Sequence, residues 1–182
     1  KLDFRVSALG FDAMRLPKKG EGDTKGIDEA EAIKMMRYAI DQGVNYVDTA
    51  YAYEGSEEVV GKALQDGYRD KVKLATKMPI WLAQKTDDLD KYLDEELERL
   101  QTNCIDFYLI HAIWKNRWKR VHDLHLFDWA DKAIADRRIG HLCFSYHDDT
   151  ALFKEVIDAY DWAMCQIQYN YMDVDYQAGI RG

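Results

Sequence analysis

Short apolar runs alternate with amphipathic stretches along most of this chain, and that alternation limits the fold more than any other feature. Apolar runs over residues 6–11, 44–48, 72–77, 105–111, 141–145 and 163–168 read as six strands. Five helical patterns lie between them. Residues 28–42 carry Ile33, Met36 and Ile40 at helical spacing and stop at Gly43. Ser56, followed by Glu57 and Glu58, reads as the cap of a second helix, where carboxylates suit the dipole. Thr86, followed by Asp87 and Asp88, reads as the cap of a third, with the stripe Leu89, Leu93, Leu97 and Leu100. Residues 124–138 carry Phe127, Ala130 and Ile134, and Thr150 reads as the cap of the helix bearing Leu152, Phe153, Val156 and Ile157. A helix after each strand requires right-handed crossovers and a parallel sheet. Two architectures satisfy this: a doubly wound open sheet and the (β/α)8 TIM barrel.

The strand ends separate them. Residues of equal parity share a strand face. Val44, Tyr46 and Asp48 share one, Lys73, Ala75 and Lys77 a second, and Phe107, Leu109 and His111 a third. Ser145 follows Cys143 on the fifth strand and Gln166 follows Met164 on the sixth. Five consecutive strands thus carry a polar group to one rim, where barrel enzymes keep their active sites. An open sheet instead places its ligand at a switch point beside a glycine-rich first turn, and residues 10–15 lack GxGxxG. The reading is the barrel. The polar stretch 18–26 reads as an exposed loop, because its GxGxxxG spacing departs from phosphate loops.

Each rim residue alone has an ordinary explanation: a helix cap for Asp48, a surface lysine for Lys77, a core histidine for His111, loop packing for Tyr53. Together they form a working acid. A phenol titrates near 10 and gives up its proton poorly at neutral pH, whereas a nearby ammonium favours phenolate. The expectation is therefore that Lys77 lowers the pKa of Tyr53. Asp48 would hold Lys77, and His111 would orient a carbonyl oxygen. Such a set suits carbonyl reduction by hydride. A carboxylate-pair hydrolase would need a second acid near Asp48, and capping accounts for the nearest sequence candidates, Glu57 and Glu58.

Residues 43–64 (GVNYVDTAYAYEGSEEVVGKAL) resemble the signature of the aldo-keto reductases, and the likeness continues through 74–77 (LATK), 106–111 (DFYLIH) and 166–170 (QIQYN). The resemblance implies a (β/α)8 barrel that transfers a hydride from NADPH, or NADH, to an aldehyde or ketone. It implies a catalytic tetrad of Asp48, Tyr53, Lys77 and His111. It places Ser145 and Gln166 on the nicotinamide carboxamide, with Asp48 beside it and Ala13 and Met14 in the cofactor loop. Residues 144–148 (FSYHD) and 168–171 (QYNY) look most like a bacterial and archaeal branch whose members often append a ferredoxin-like iron–sulfur tail. Asp12 stands where the family usually has glycine. The printed sequence stops after the sixth expected strand, before the last two strands and the basic segment that holds the 2′-phosphate in the family. The expectation is an incomplete barrel in a single domain over 1–182, with open sheet edges available for self-association and weak NADPH binding by this stretch alone. The alternative function is a catalytically silent or regulatory barrel, or an inert fragment.

Composition bears on partners. In 182 residues, 33 acidic against 25 basic side chains give a net charge of −8, which argues against nucleic-acid binding. No apolar run approaches the ~20 residues that cross a bilayer. Cys104, Cys143 and Cys165 are widely spaced and read as reduced thiols of a cytoplasmic protein, with no metal site in this chain. Trp81 and Trp114, with Tyr51, are candidate walls for a small carbonyl substrate. The basic patch Lys115, Arg117, Lys119 and Arg120 around Trp118 reads as a solvated loop, and His122, His125 and His147 lack metal-ligand spacing.

Overall fold

The computed structural model describes residues 2, 4–20 and 26–182. Its elements are β1 (Phe11–Asp12), α1 (Glu29–Asp41), β2 (Tyr46–Asp48), α2 (Ser56–Ala63), β3 (Lys73–Met78), α3 (Asp87–Leu100), β4 (Ile105–Ile113), α4 (Lys115–Asp123), α5 (Leu126–Ala135), β5 (Ile139–Tyr146), α6 (Thr150–Asp158) and β6 (Cys165–Ile167). The six strands form one parallel sheet in sequence order, β1 to β6, with no reversal. A doubly wound sheet reverses at its switch point, so this order is that of consecutive βα units of a (β/α)8 barrel. The fold is a half-barrel. Among the described residues, β1 and β6 each pair on one side only.

Two apolar layers hold it. Leu74, Tyr108, Ile110, Leu142 and Phe144 point outward and meet the helices in the main core. Ala75, Phe107, Leu109 and Cys143 fill the inner face, with Tyr46, Met164 and Phe4 packed against them. The alternation along each strand therefore assigns faces as the parity reading expects. Helices α2 and α3 approach so closely that a Cβ on Gly61 would lie 2.5 Å from the Arg99 carbonyl oxygen. Only a residue without a side chain fits there.

Several local expectations are corrected. The first strand is confined to Phe11–Asp12, not 6–11, because the Asn45 side chain takes up the preceding backbone. Its Oδ1 accepts from the Ser7 amide at 2.7 Å and its Nδ2 donates to the Arg5 carbonyl at 2.9 Å. The pattern over 124–138 becomes α5 alone, since His125 sits in the left-handed region (φ 49°) and breaks the chain direction after α4. The supposed solvated loop around Trp118 is helix α4, and Trp118 is buried with its Nε1 donating to Glu155 at 2.7 Å.

Three caps also differ. Gly55 in the left-handed region precedes α2, while the Ser56 hydroxyl donates to the Ala13 carbonyl at 2.9 Å and lies 2.8 Å from the Thr49 hydroxyl. The Thr86 hydroxyl donates to the Leu124 carbonyl, leaving Asp88 to accept from the Gln84 and Lys85 amides. Asp149, not Thr150, caps α6 by accepting from the Leu152 amide. Of the expected loop 18–26, residues 21–25 lie outside the described residues; its ends meet through a bridge between Lys18 and Ile27.

Candidate active site

Parallel register brings the rim residues level. Asp48 on β2 pairs with Ala75, two residues before Lys77 on β3, and Lys77 pairs with Leu109, two before His111 on β4. Ser145 on β5 pairs with Gln166 on β6. Strand geometry thus delivers the side chains in a staggered row along one mouth.

At its centre, Lys77 Nζ donates to Asp48 Oδ2 at 2.5 Å and to the Thr49 carbonyl at 2.8 Å. A third contact reaches the Tyr53 hydroxyl at 3.5 Å. The Lys77 and Asp48 side chains are 3% and 6% exposed, so this pair is shielded from solvent. Among the described residues, Asp48 Oδ1 is buried without a hydrogen-bond partner. The His111 ring meets Tyr53 edge-on, with centroids 5.9 Å apart, and Trp81 at 5.3 Å.

The electrostatics depart from expectation in one respect. Burial pushes the Tyr53 phenol above its ordinary value, the Lys77 ammonium pulls the other way, and the charges of Asp12 and Asp48 add to the upward push. The net direction is upward, because removing the phenol from water penalises phenolate more than one ammonium compensates. Burial likewise raises the Asp48 carboxyl, with Lys77 opposing. His111 is lowered to about 3, first by burial and then by the Lys77 and Arg117 charges. Its imidazole is therefore neutral at pH 7.

The remaining expected residues divide. Ala13 and Met14 line a cavity of about 540 Å³ together with Lys18, Tyr53, Glu54 and Ser56. Ser145 Oγ accepts from the Ala112 amide at 2.7 Å, which leaves its own proton to donate. Gln166 Nε2 donates to the Tyr46 hydroxyl at 3.2 Å. Trp81 and Trp114 lie outside the cavity wall and flank the Arg117 guanidinium at 4.2 and 4.0 Å. Tyr51 does not join the site: its hydroxyl donates to Glu95 and its ring packs on Tyr92. Asp12 Oδ1 accepts from the Met14 amide at 2.6 Å, which ties the carboxylate to its own turn.

Glu57 is buried and serves no cap; it accepts from Thr76 at 2.6 Å and pairs with Arg99 at 3.2 Å. It therefore offers Asp48 no second acid. Sequence reasoning missed Arg117, whose signal was its place three residues after Trp114 at the start of a helix. It also missed the Thr49 carbonyl, which no side-chain pattern reveals. Among the described residues, no group of three or more His, Cys, Asp or Glu is arranged to hold a metal, and no helix is long and apolar enough to cross a membrane.

A parallel half-barrel with a buried ammonium–carboxylate pair beneath a phenol at the strands' C-terminal rim is the arrangement of consecutive βα units in a (β/α)8 barrel. The sequence profile of the Aldo/keto reductase family matches residues 8–181, and the chain belongs to that family. It is 40% identical over 99 residues (47% of this chain, 29% of the relative) to the aldo-keto reductase YhdN of Bacillus subtilis (strain 168). It is 31% identical over 150 residues (79% of this chain, 50% of the relative) to the 9,11-endoperoxide prostaglandin H2 reductase of Trypanosoma cruzi (strain CL Brener). Among solved structures it resembles an aldo-keto reductase from Klebsiella pneumoniae in complex with NADPH, at 27% identity and a TM-score of 0.69, covering 90% of this chain and 55% of that one. The chain thus spans about half the length, or less, of these relatives.

Proposed function

We propose that this protein reduces an aldehyde or ketone with hydride from NADPH, Tyr53 protonating the carbonyl oxygen. The observation that carries the reading is the Tyr53 hydroxyl 3.5 Å from an ammonium that Asp48 holds in place. A general acid must keep its proton until the reaction takes it. Burial keeps the Tyr53 proton on at neutral pH. Lys77 then acts where it matters, on the phenolate that forms as the proton leaves, so its stabilisation is felt in the transition state more than in the resting site. Neutral His111 orients the carbonyl oxygen as a hydrogen-bonding group rather than a cation.

The residues fit a nicotinamide cofactor. Ser145 retains a hydroxyl proton, the Gln166 amide lies beside it, and the buried Asp48 Oδ1 lacks a donor. These three would hold the carboxamide, with Ala13 and Met14 along the cavity beside Tyr53. The cofactor supplies the hydride. NADPH is favoured because the Klebsiella neighbour is described with it.

The test is aldehyde-dependent NADPH oxidation by the full-length protein and by Tyr53→Phe. Loss of the acid is expected to lower kcat by roughly 10²–10⁴-fold. A Tyr53→Phe protein that keeps its turnover overturns the role.

A further inference from the structure

The rim holds a cation that the reaction chemistry leaves unused. Arg117 enters from the first turn of α4 and its guanidinium lies between two indoles, 4.2 Å from the Trp81 ring centre and 4.0 Å from that of Trp114. Trp81 in turn packs on His111. Nη1 donates to the carbonyls of His111 (2.9 Å) and Ala112 (3.3 Å). Both carbonyls are presented by the irregular end of β4, where the register shifts between Ile110 and Ile113 and Ala112 sits at φ 54°. The cation is thus clamped on both faces and along one edge.

Among the described residues, the opposite edge has no partner. Nε is buried without an acceptor, and among the described residues no hydrogen bond engages Nη2 and no carboxylate pairs with Arg117. Elsewhere in the fold Arg69, Arg99 and Arg138 all pair with carboxylates. A buried donor without an acceptor is costly, and a ligand that brings an acceptor to it relieves that cost. The Nε–Nη2 edge presents two parallel N–H groups, the geometry that takes a carboxylate in bidentate fashion.

We propose that Arg117 is the specificity-determining residue of the substrate pocket, and that the favoured substrate is a small carbonyl compound carrying a carboxylate about one aromatic ring away from the reacting carbonyl. The inference rests on the reductase reading, because it takes the carbonyl to lie at Tyr53 and His111. Trp81 sets the interval, its ring centre 5.3 Å from that of His111 and 4.2 Å from the guanidinium. Trp81 and Trp114, which lie outside the cavity beside Tyr53, serve here to hold the cation's plane.

The experiment compares kcat/KM for 4-carboxybenzaldehyde and its neutral methyl ester, in the full-length protein and in Arg117→Met. The ratio of the two aldehydes reads the carboxylate alone, because any effect of the variant on His111 or on folding is common to both. A ratio favouring the acid in the unmutated protein, falling on the order of 10- to 100-fold in Arg117→Met, is expected. Quenching of indole fluorescence by terephthalate, with loss of that binding in the variant, is the expected result without turnover. Should Arg117→Met not fold, Arg117→Lys keeps the charge but not the fork, and its ratio is expected to fall several-fold.

An unchanged ratio, with both aldehydes still reduced, overturns the role of Arg117 and leaves the reductase reading standing. A variant that raises KM for NADPH while the aldehyde ratio stays fixed assigns the cation to a cofactor phosphate and also overturns it. Reduction of neither aldehyde by the unmutated protein removes the reductase reading and this inference together.

Discussion

Replacing Lys77 by methionine tests how the site is held. The ammonium gives all three of its contacts to groups within the site: Asp48 Oδ2 at 2.5 Å, the Thr49 carbonyl at 2.8 Å and the Tyr53 hydroxyl at 3.5 Å. Methionine fills the space but leaves Asp48 as a buried carboxyl whose other oxygen already lacks a partner. Breaking one side of such a pair costs about 3–5 kcal/mol, mostly the penalty for an uncompensated buried charge. Removing both partners in Asp48→Asn/Lys77→Met removes that penalty, so the double variant is expected to be more stable than the sum of the singles by about 2–3 kcal/mol.

The sign with pH follows from Asp48. Burial already raises its pKa, and without Lys77 the only large opposing charge is gone. A carboxyl with a raised folded pKa contributes stability that is present below its unfolded value and lost as pH rises through the folded one. The deficit of Lys77→Met is therefore expected to be largest at pH 8 and to shrink toward pH 5. Urea titrations of the four proteins at both pH values measure it. Lys77→Met within 1 kcal/mol of the unmutated protein at pH 8, or strictly additive variants, would refute the reasoning.

Further expectations concern the scaffold. Glu96 is buried, with one oxygen unpaired among the described residues; it accepts from Tyr108, and its pKa is raised well above the ordinary value by burial and by the Glu57 charge. Its stabilising contribution is therefore lost as pH rises, and Glu96→Gln is expected to flatten that decline in urea titrations between pH 5 and 9. Gly61→Ala would push a methyl into the Arg99 carbonyl at 2.5 Å, so α2 and α3 must separate. A loss of roughly 1–3 kcal/mol is expected, read as a lower Tm by calorimetry.

The barrel was legible because α/β crossovers leave a strong periodic trace and because parity along β2, β3 and β4 assigns the inner face. The segment before β1 was not, since nothing in its apolar character reveals that Asn45 takes its backbone hydrogen bonds. Helix α4 was hidden by its charges, although Trp118, Val121 and Leu124 mark a buried stripe at a spacing of three. Asp48, Lys77 and His111 could be grouped from strand parity and register, whereas Tyr53 lies in the loop between β2 and α2 and register does not place it. The direction of the Tyr53 shift could not be read: pairing with Lys77 is visible in sequence, whereas the burial that outweighs it appears only once the chain is folded. Arg117 was lost in the same way, as one of four basic residues whose surroundings depend on where α4 begins.

The most direct measurement is the pH dependence of kcat/KM for aldehyde reduction by the full-length protein. An essential acid must be protonated, so activity falls above its pKa. With Tyr53 above the ordinary tyrosine value near 10, a plateau through neutral pH and a decline only above about pH 10 is the expected profile. A decline centred between pH 6 and 7 would contradict it, because it would hand the proton to an ordinary histidine and leave Tyr53 with no part in the chemistry.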